Sequence, residues 1–374
     1  MLVKKIFLPF RTRFERLITT QFSERRGILT KEVNDNGLII LNRPEKLNVV
    51  NLRMIENLGV VLNEWKDTKS LIIIRGNGNK AFCAGGDVRD IVQNGASHGM
   101  KIAKANLLNK HLIRNLKVPY VALMDGITMG TGLGLSIHGK YRIATENTVS
   151  AMPETIIGFL PDVGASYFLP RLRGKLGYYL GLTGSKLKGQ DVVHAGIATH
   201  FCDSEKIKEL EYSLLHLNNP RNVESVINDF CPKIQSEFSL ANNLDQINEC
   251  FDASSVEEIL CKLECDGSDW ARKTTKTMRA LSPTSLKVTL RQLNLGANLS
   301  LEECLQMEYR LIFHFFQDSD FYEGVRALLI AKDKHPKWNP PSIEDVPTEQ
   351  VLSFFEPLPD NDRLPIKEKF RSHL

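Results

Sequence analysis

Residues 120–145 read YVALMDGITMGTGLGLSIHGKYRIAT, and this stretch decides the fold class. Tyr120–Met124 is a compact apolar run that predicts a strand. The glycine-rich turn after it leads into a helix expected over 126–138, and a second strand is expected over 142–145. Upstream, 51–65 places Leu52, Ile55, Leu58, Leu62 and Trp65 at three- and four-residue spacings, the stripe of an amphipathic helix. Residues 71–75 then run apolar like a buried strand, and a further helix is expected over 101–115. Before all of these, Ile28–Val33 and 38–42 flank Asn34-Asp35-Asn36-Gly37, whose Asn-Gly pair accepts positive φ and predicts a hairpin. Repeated strand-helix-strand crossovers predict an α/β fold with a largely parallel sheet.

Beyond about residue 203 the pattern changes. Segments 204–217, 255–264, 285–294, 300–316 and 320–332 read as helices, and Pro336, Pro340, Pro341 and Pro347 predict an extended or looped tail. The expected organisation is therefore an α/β core over 28–203, a helical region over 204–335 and a proline-rich tail over 336–374. Residues 1–27 stand apart, with seven basic side chains against two acidic ones. Apolar Ile6, Phe7, Phe10, Phe14, Leu17 and Ile18 are interleaved at near-helical spacing. That composition reads as a mitochondrial targeting segment and predicts residence in the matrix.

Of the 374 residues, 42% are apolar and 25% charged, an ordinary globular composition. The net charge of +4 sits in the first 27 residues, because the rest carries 41 basic and 42 acidic side chains. No basic field remains to hold a nucleic-acid backbone, and no apolar run approaches the ~20 residues of a membrane span. Seven scattered cysteines without a C-x-x-C pair predict neither a disulfide framework nor a zinc site.

Several motif-like patterns fail on their mechanics. Gly76-Asn77-Gly78 follows a strand but leads into a loop, not into the helix a dinucleotide pyrophosphate needs. Residues 134–140 have phosphate-loop spacing, but Tyr141 stands where the metal-binding hydroxyl belongs. Ser136 and His138 lack a nucleophile elbow and read as ordinary helix residues.

Chemistry is carried by two glycine-rich turns, 81–87 (AFCAGGD) and 126–134, each expected at the C-terminal end of a strand. Backbone free of side chains can aim two N–H groups at one carbonyl oxygen, the geometry of an oxyanion hole. A third segment, 151–164 (AMPETIIGFLPDVG), sets Glu154 and Asp162 among apolar residues, with Gly158 and Pro161 stopping any helix between them. Carboxyls in such surroundings have raised pKa values suited to proton transfer or nucleophilic attack.

These motifs, with Asn42-Arg43-Pro44 and Asn48, resemble the enoyl-CoA hydratase/isomerase (crotonase) superfamily. The downstream segments 196–201, 282–287 and 323–327 match it as well, so the resemblance covers roughly 28–356. It implies a spiral of ββα units with a helical C-terminal region, which periodicity alone would not separate from a doubly wound sheet. It further implies hydrolysis of an acyl-CoA thioester, with 3-hydroxyisobutyryl-CoA of valine breakdown as the expected substrate. Coenzyme A then arrives as part of the substrate, and no separate cofactor, metal, nucleic acid or membrane is expected; self-association is left open.

Carried over by position, the N–H groups of Gly86 and Thr131 would polarise the thioester carbonyl. Glu154 would attack that carbonyl or activate water, and Asp162 would bind the substrate 3-hydroxyl. Lys46, Leu47 and the backbone of Ala81, Phe82 and Cys83 would cradle coenzyme A. Two positions depart from the hydrolase pattern: Thr131 replaces a usual glycine, and Asn106 stands where a second substrate-binding acid is usual. Restoring glycine at 131 is expected to preserve or raise turnover. Two other readings stay open. One is enoyl-CoA hydration, against which stands Gly134 where simple hydratases tend to carry glutamate. The other is a catalytically weak hydrolase-like scaffold, such as a mitochondrial ribosome subunit, for which Thr131 and Asn106 speak.

Overall fold

The computed structural model describes residues 20–359 and 362–366, so most of the expected targeting segment lies outside the described residues. Strands β1 (Thr20–Arg25), β2 (Ile28–Val33) and β3 (Asn36–Leu41) form an antiparallel meander. β1 falls inside the segment 1–27 set aside for targeting, so the sheet takes in Thr20–Arg25 as well as the core expected from residue 28. Helix α1 (Leu52–Trp65) follows, capped by the Asn51 side chain, which accepts the Met54 N–H at 3.1 Å.

From here the chain repeats one move. β4 (Leu71–Gly76) lies in a large sheet, β5 (Ala81–Cys83) crosses into a small one, and helices α2 (Val88–Asn94) and α3 (Ala96–Arg114) return the chain. β6 (Tyr120–Met124), β7 (Ile127–Met129) and α4 (Thr131–Ile137) do the same, and β8 (Tyr141–Ala144) and β9 (Val149–Ala151) begin it a third time. The seven-stranded sheet has the order β1-β2-β3-β4-β6-β8-β11, with β11 at His200–Phe201; the four-stranded one runs β10-β9-β7-β5, with β10 at Leu187–Lys188. This is the ββα spiral, not a doubly wound sheet. The helix expected over 126–138 is shortened at its start because Ile127–Met129 pairs in parallel with β5 and β9.

Alternation along the central strands explains the layers. Ile72, Ile74, Ala122 and Met124 face the small sheet and α1, whereas Leu71, Ile73, Val121 and Leu123 pack against the helices Ile207–Leu215 and Val223–Phe230. Both faces are covered, which is why these strands read as unbroken apolar runs. The C-terminal region is helical as expected. It also holds Val223–Phe230, Leu244–Phe251 and Asp269–Arg279, and the described residues of the tail include a short helix, Thr348–Ser353. Helix Leu301–Phe315 closes over α3 and the turn bearing Asp162, and thereby joins the helical region to the core.

Candidate active site

Three parallel strands of the small sheet set the site. In register, Ala81 pairs with Ile127, and Met129 with Ala151, so the segments after Cys83, Met129 and Ala151 emerge together at one sheet end. They carry Gly86, Thr131 and Glu154.

Gly86 forms a parallel bridge with Val50, whose hydrogen bonds run from Val50 N–H to Gly85 O and from Asp87 N–H to Val50 O, both neighbours of Gly86. The N–H of Gly86 itself therefore points away from the ladder. Thr131 is the first residue of α4, where a backbone N–H has no intrahelical acceptor. A Cβ at Gly86 would come to 3.5 Å from Thr131 Oγ1, so the two turns face each other as an oxyanion site requires. The positive φ of this turn, 50°, falls on Gly130, and Thr131 has helical backbone that any residue adopts. The threonine thus leaves the backbone donor in place. Its hydroxyl accepts from Asn106 Nδ2 at 3.0 Å, so the two departures from the family pattern are partners.

Glu154 begins the short 3-10 turn Glu154–Ile157 after Pro153 and is 7% exposed. Its Oε1 lies where a Cβ on Gly130 would approach to 2.7 Å, the φ of 50° at Gly130 strains any other residue there, and the Glu154 Oε2 has no hydrogen-bond partner. Burial, with Asp162 adding like charge, pushes the Glu154 carboxyl well above the usual carboxylate range. A buried, unpartnered carboxyl oxygen is costly for stability and, next to the Gly130–Thr131 turn, suited to reaction.

Asp162 keeps a little exposure in the following turn, where burial raises it to about 6 against the opposing pull of Lys110. Next to it Val163 and Gly164 both have left-handed φ, 57° and 89°, and for β-branched Val163 this is strained. Four restraints hold the turn. Gln292 Nε2 donates to Pro161 O at 2.7 Å, His138 Nε2 donates to Val163 O at 2.8 Å, and Glu308 accepts the N–H groups of Gly164 and Ser166 at 2.7 and 2.9 Å.

Lys46 is exposed at the end of the turn Pro44–Lys46, and Leu47 O accepts the Ala84 N–H at 3.0 Å, which ties this turn to the Gly86 strand. Asn48, buried, donates to Asn77 O and Ala81 O at 2.9 and 2.8 Å and fastens the same junction. The side chains of Ala81, Phe82 and Cys83 are buried, so only their backbone can meet a coenzyme. A Cβ on Gly134 would lie 2.5 Å from Val163 Cβ and 2.8 Å from Lys110 Cε, so a glutamate has no room there.

Sequence reasoning missed Lys110, Glu308 and the bracing role of His138. Lys110 and Glu308 are 0% exposed charges in the apolar stripes of their helices, Lys110 following Leu107 and preceding Ile113, Glu308 between Leu305 and Ile312. A single charge at a stripe position was the available signal.

The profile of the enoyl-CoA hydratase/isomerase family matches residues 36–355, and the chain belongs to that family. Among curated relatives, a 3-hydroxyisobutyryl-CoA hydrolase, mitochondrial, of Xenopus tropicalis is 50% identical over 338 residues, covering 87% of this chain and 88% of the relative. That of Homo sapiens is 47% identical over 347 residues, covering 90% of each. Among solved structures, a carnitinyl-CoA dehydratase from Mycobacterium thermoresistibile superposes with a TM-score of 0.85 at 31% identity, covering 91% of this chain and 98% of that one. An enoyl-CoA hydratase from Rhodobacter sphaeroides 2.4.1 gives 0.83 at 32%, covering 91% and 100%.

Proposed function

We propose that the protein hydrolyses 3-hydroxyisobutyryl-CoA to 3-hydroxyisobutyrate and coenzyme A, and that it does so in the mitochondrial matrix. One observation carries the reading: Glu154, buried and with an unpartnered oxygen, stands between the Gly130–Thr131 turn and the like-charged Asp162. The thioester carbonyl would rest on the N–H groups of Gly86 and Thr131, which bind more strongly as negative charge develops on oxygen. Ionised Glu154 either attacks the carbonyl carbon or takes a proton from the water that does. In the first route the C–S bond breaks as an acyl anhydride forms on Glu154, and the water that then cleaves the anhydride supplies the proton the thiolate takes up; in the second, the C–S bond breaks as Glu154 passes the proton it took from water to the leaving thiolate. Asp162 would accept the hydrogen bond of the 3-hydroxyl group: burial raises both carboxyls, but Lys110 draws Asp162 back toward its ionised form whereas the charge of Asp162 pushes Glu154 further up.

The relatives named for this hydrolysis are 47% and 50% identical, against 31% and 32% for the structures named for dehydration or hydration. Crowding at Gly134 argues further against hydratase chemistry. Thr131 and Asn106 favour a second reading, a scaffold with little activity, but their mutual hydrogen bond is what an adapted site would also show. Thiol release from 3-hydroxyisobutyryl-CoA, isobutyryl-CoA and acetyl-CoA, alongside hydration of crotonyl-CoA, tests the assignment. Release fastest from the hydroxylated thioester is expected. Hydration without release would establish the hydratase, and no turnover of any thioester the scaffold.

A further inference from the structure

Lys110 lies wholly buried on α3 beside the reacting groups. Its ammonium donates to Asn106 Oδ1 one helical turn back, and Asn106 Nδ2 donates to Thr131 Oγ1 at 3.0 Å. Its methylene chain runs against Gly134, where a Cβ would come to 2.8 Å from Cε, so the ammonium has a fixed place. The same point lies 2.5 Å from Val163 Cβ, so Lys110 stands beside the turn that carries Asp162; the charges of Asp162 and of the Cys83 thiol on β5 act on it, and it acts in turn on the His138 imidazole at the end of α4. Burial pushes Cys83 up to about 11 and His138 down to about 4, so both are neutral at pH 7; it also brings Lys110 itself down to about 7, and the negative charge of Asp162 is what opposes that fall. Asp162 in turn raises Glu154 and Glu308 by like charge, and Glu308 also raises Glu154 directly.

We propose that Lys110 is a positioning residue for the hydrolysis. Its ammonium, anchored by the neutral Asn106 carbonyl, holds Asp162 ionised to receive the substrate hydroxyl, and the same amide fixes the Thr131 end of the oxyanion site. The inference rests on the hydrolase reading above. An ammonium out of water costs several kcal/mol unless a negative charge and hydrogen bonds offset it. Asn106 supplies a hydrogen bond but no charge, so the attraction of Lys110 is directed at Asp162. A carboxylate at 106, the residue usual in the family, would take that charge for itself. Asn106 is, on this account, the condition under which Lys110 serves Asp162, and the two residues act as a unit.

Lys110→Met keeps chain length and removes a buried charge, so folding is checked by circular dichroism and thermal unfolding. Relative to wild type, kcat/KM for 3-hydroxyisobutyryl-CoA at pH 7 should fall about tenfold. The acid limb of its pH profile, which reports Asp162 as well as Glu154, should move up by about half a pH unit or more relative to the limb for isobutyryl-CoA, which reports Glu154 alone. Isobutyryl-CoA, which has no hydroxyl for Asp162, should lose much less. Asn106→Glu should give the same alkaline shift with Lys110 still present, and it carries the test if Lys110→Met does not fold. An unmoved acid limb, or equal losses on both thioesters, would overturn the proposal and leave Lys110 a structural residue. Carboxyl carbon-13 NMR of labelled aspartate, with the Asp162 signal identified by its loss in Asp162→Asn, reads the pairing without turnover. If wild type releases no coenzyme A the hydrolase reading fails, and an Asp162 titration that does not rise in Lys110→Met then separately refutes the pairing.

Discussion

Glu308 and Gly164, 144 positions apart, are joined by a 2.7 Å hydrogen bond from the backbone N–H to a carboxylate oxygen. The other oxygen accepts the N–H and hydroxyl of Ser166 at 2.9 and 2.6 Å. One buried side chain from the helical region thus shapes the turn two residues beyond Asp162. Glu308→Ala orphans three buried donors and should cost about 3 kcal/mol or more of stability. Denaturant unfolding would measure that loss, and thiol release should show kcat falling more than KM rises. Unchanged turnover in the folded variant would detach this brace from catalysis.

Glu154→Gln should abolish hydrolysis while leaving the protein at least as stable as wild type. The amide neither attacks the thioester nor accepts a proton from water, and a loss of several kcal/mol in activation energy corresponds to roughly a thousandfold or more in rate. Stability is spared because the replaced carboxyl oxygen has no partner to lose. Turnover within threefold of wild type would end the assignment of Glu154.

Activity should rise with pH. Glu154 is held above the usual carboxylate range by burial and by Asp162, so it is protonated on the acid side and its reactive, ionised fraction grows as pH increases through the raised value. In Asp162→Asn the like charge is gone, Glu154 ionises more readily, and the acid limb of kcat should shift to lower pH. A shift to higher pH would contradict the electrostatic account.

Thr131→Gly is now expected to lower turnover by several-fold. The backbone at 131 is helical and needs no glycine, whereas the hydroxyl is the partner of Asn106, which in turn holds Lys110. Removing it should cost about 1 kcal/mol from the lost hydrogen bond and the added chain entropy. Thr131→Ser, which keeps the hydroxyl, should stay near wild type. Faster turnover in the glycine variant would reinstate the threonine as a compromise.

Truncation should distinguish two parts of the N-terminal segment. Starting the chain at Thr20 is expected to preserve folding. Starting it at Ile28 removes β1, strips the six-residue pairing from β2 and leaves that edge bare, and should lower the melting temperature. A reporter carrying residues 1–35 should enter the mitochondrial matrix; a cytosolic reporter would refute the targeting assignment.

Much of this was legible in sequence, for identifiable reasons. Tyr120–Met124, Ile28–Val33 and the stripe of α1 are long enough for their periodicity to show. Glycine-rich turns and two acids in an apolar setting announced the site. The strands Ala81–Cys83, Ile127–Met129 and Val149–Ala151 are three residues each, too short for any period, and they alone separate a spiral from a doubly wound sheet. Asp269–Arg279 escaped because its buried positions are Ala271, Thr274 and Met278, a stripe with a single large apolar residue. Lys110 and Glu308 escaped because a buried charge is known by partners distant in sequence: Asp162 lies 52 positions from Lys110, and Gly164 lies 144 positions from Glu308.

Gly134 also bounds what this chain can become. An acid introduced there for hydratase chemistry would have to displace Val163 and evict the Lys110 side chain, and both belong to the surroundings that place Asp162. No single substitution adds the new acid while sparing the old geometry. A lineage that gains an acid at 134 has to rebuild Val163 and Lys110 with it, so the volume of one methyl group ties three positions of this spiral into a single evolutionary step.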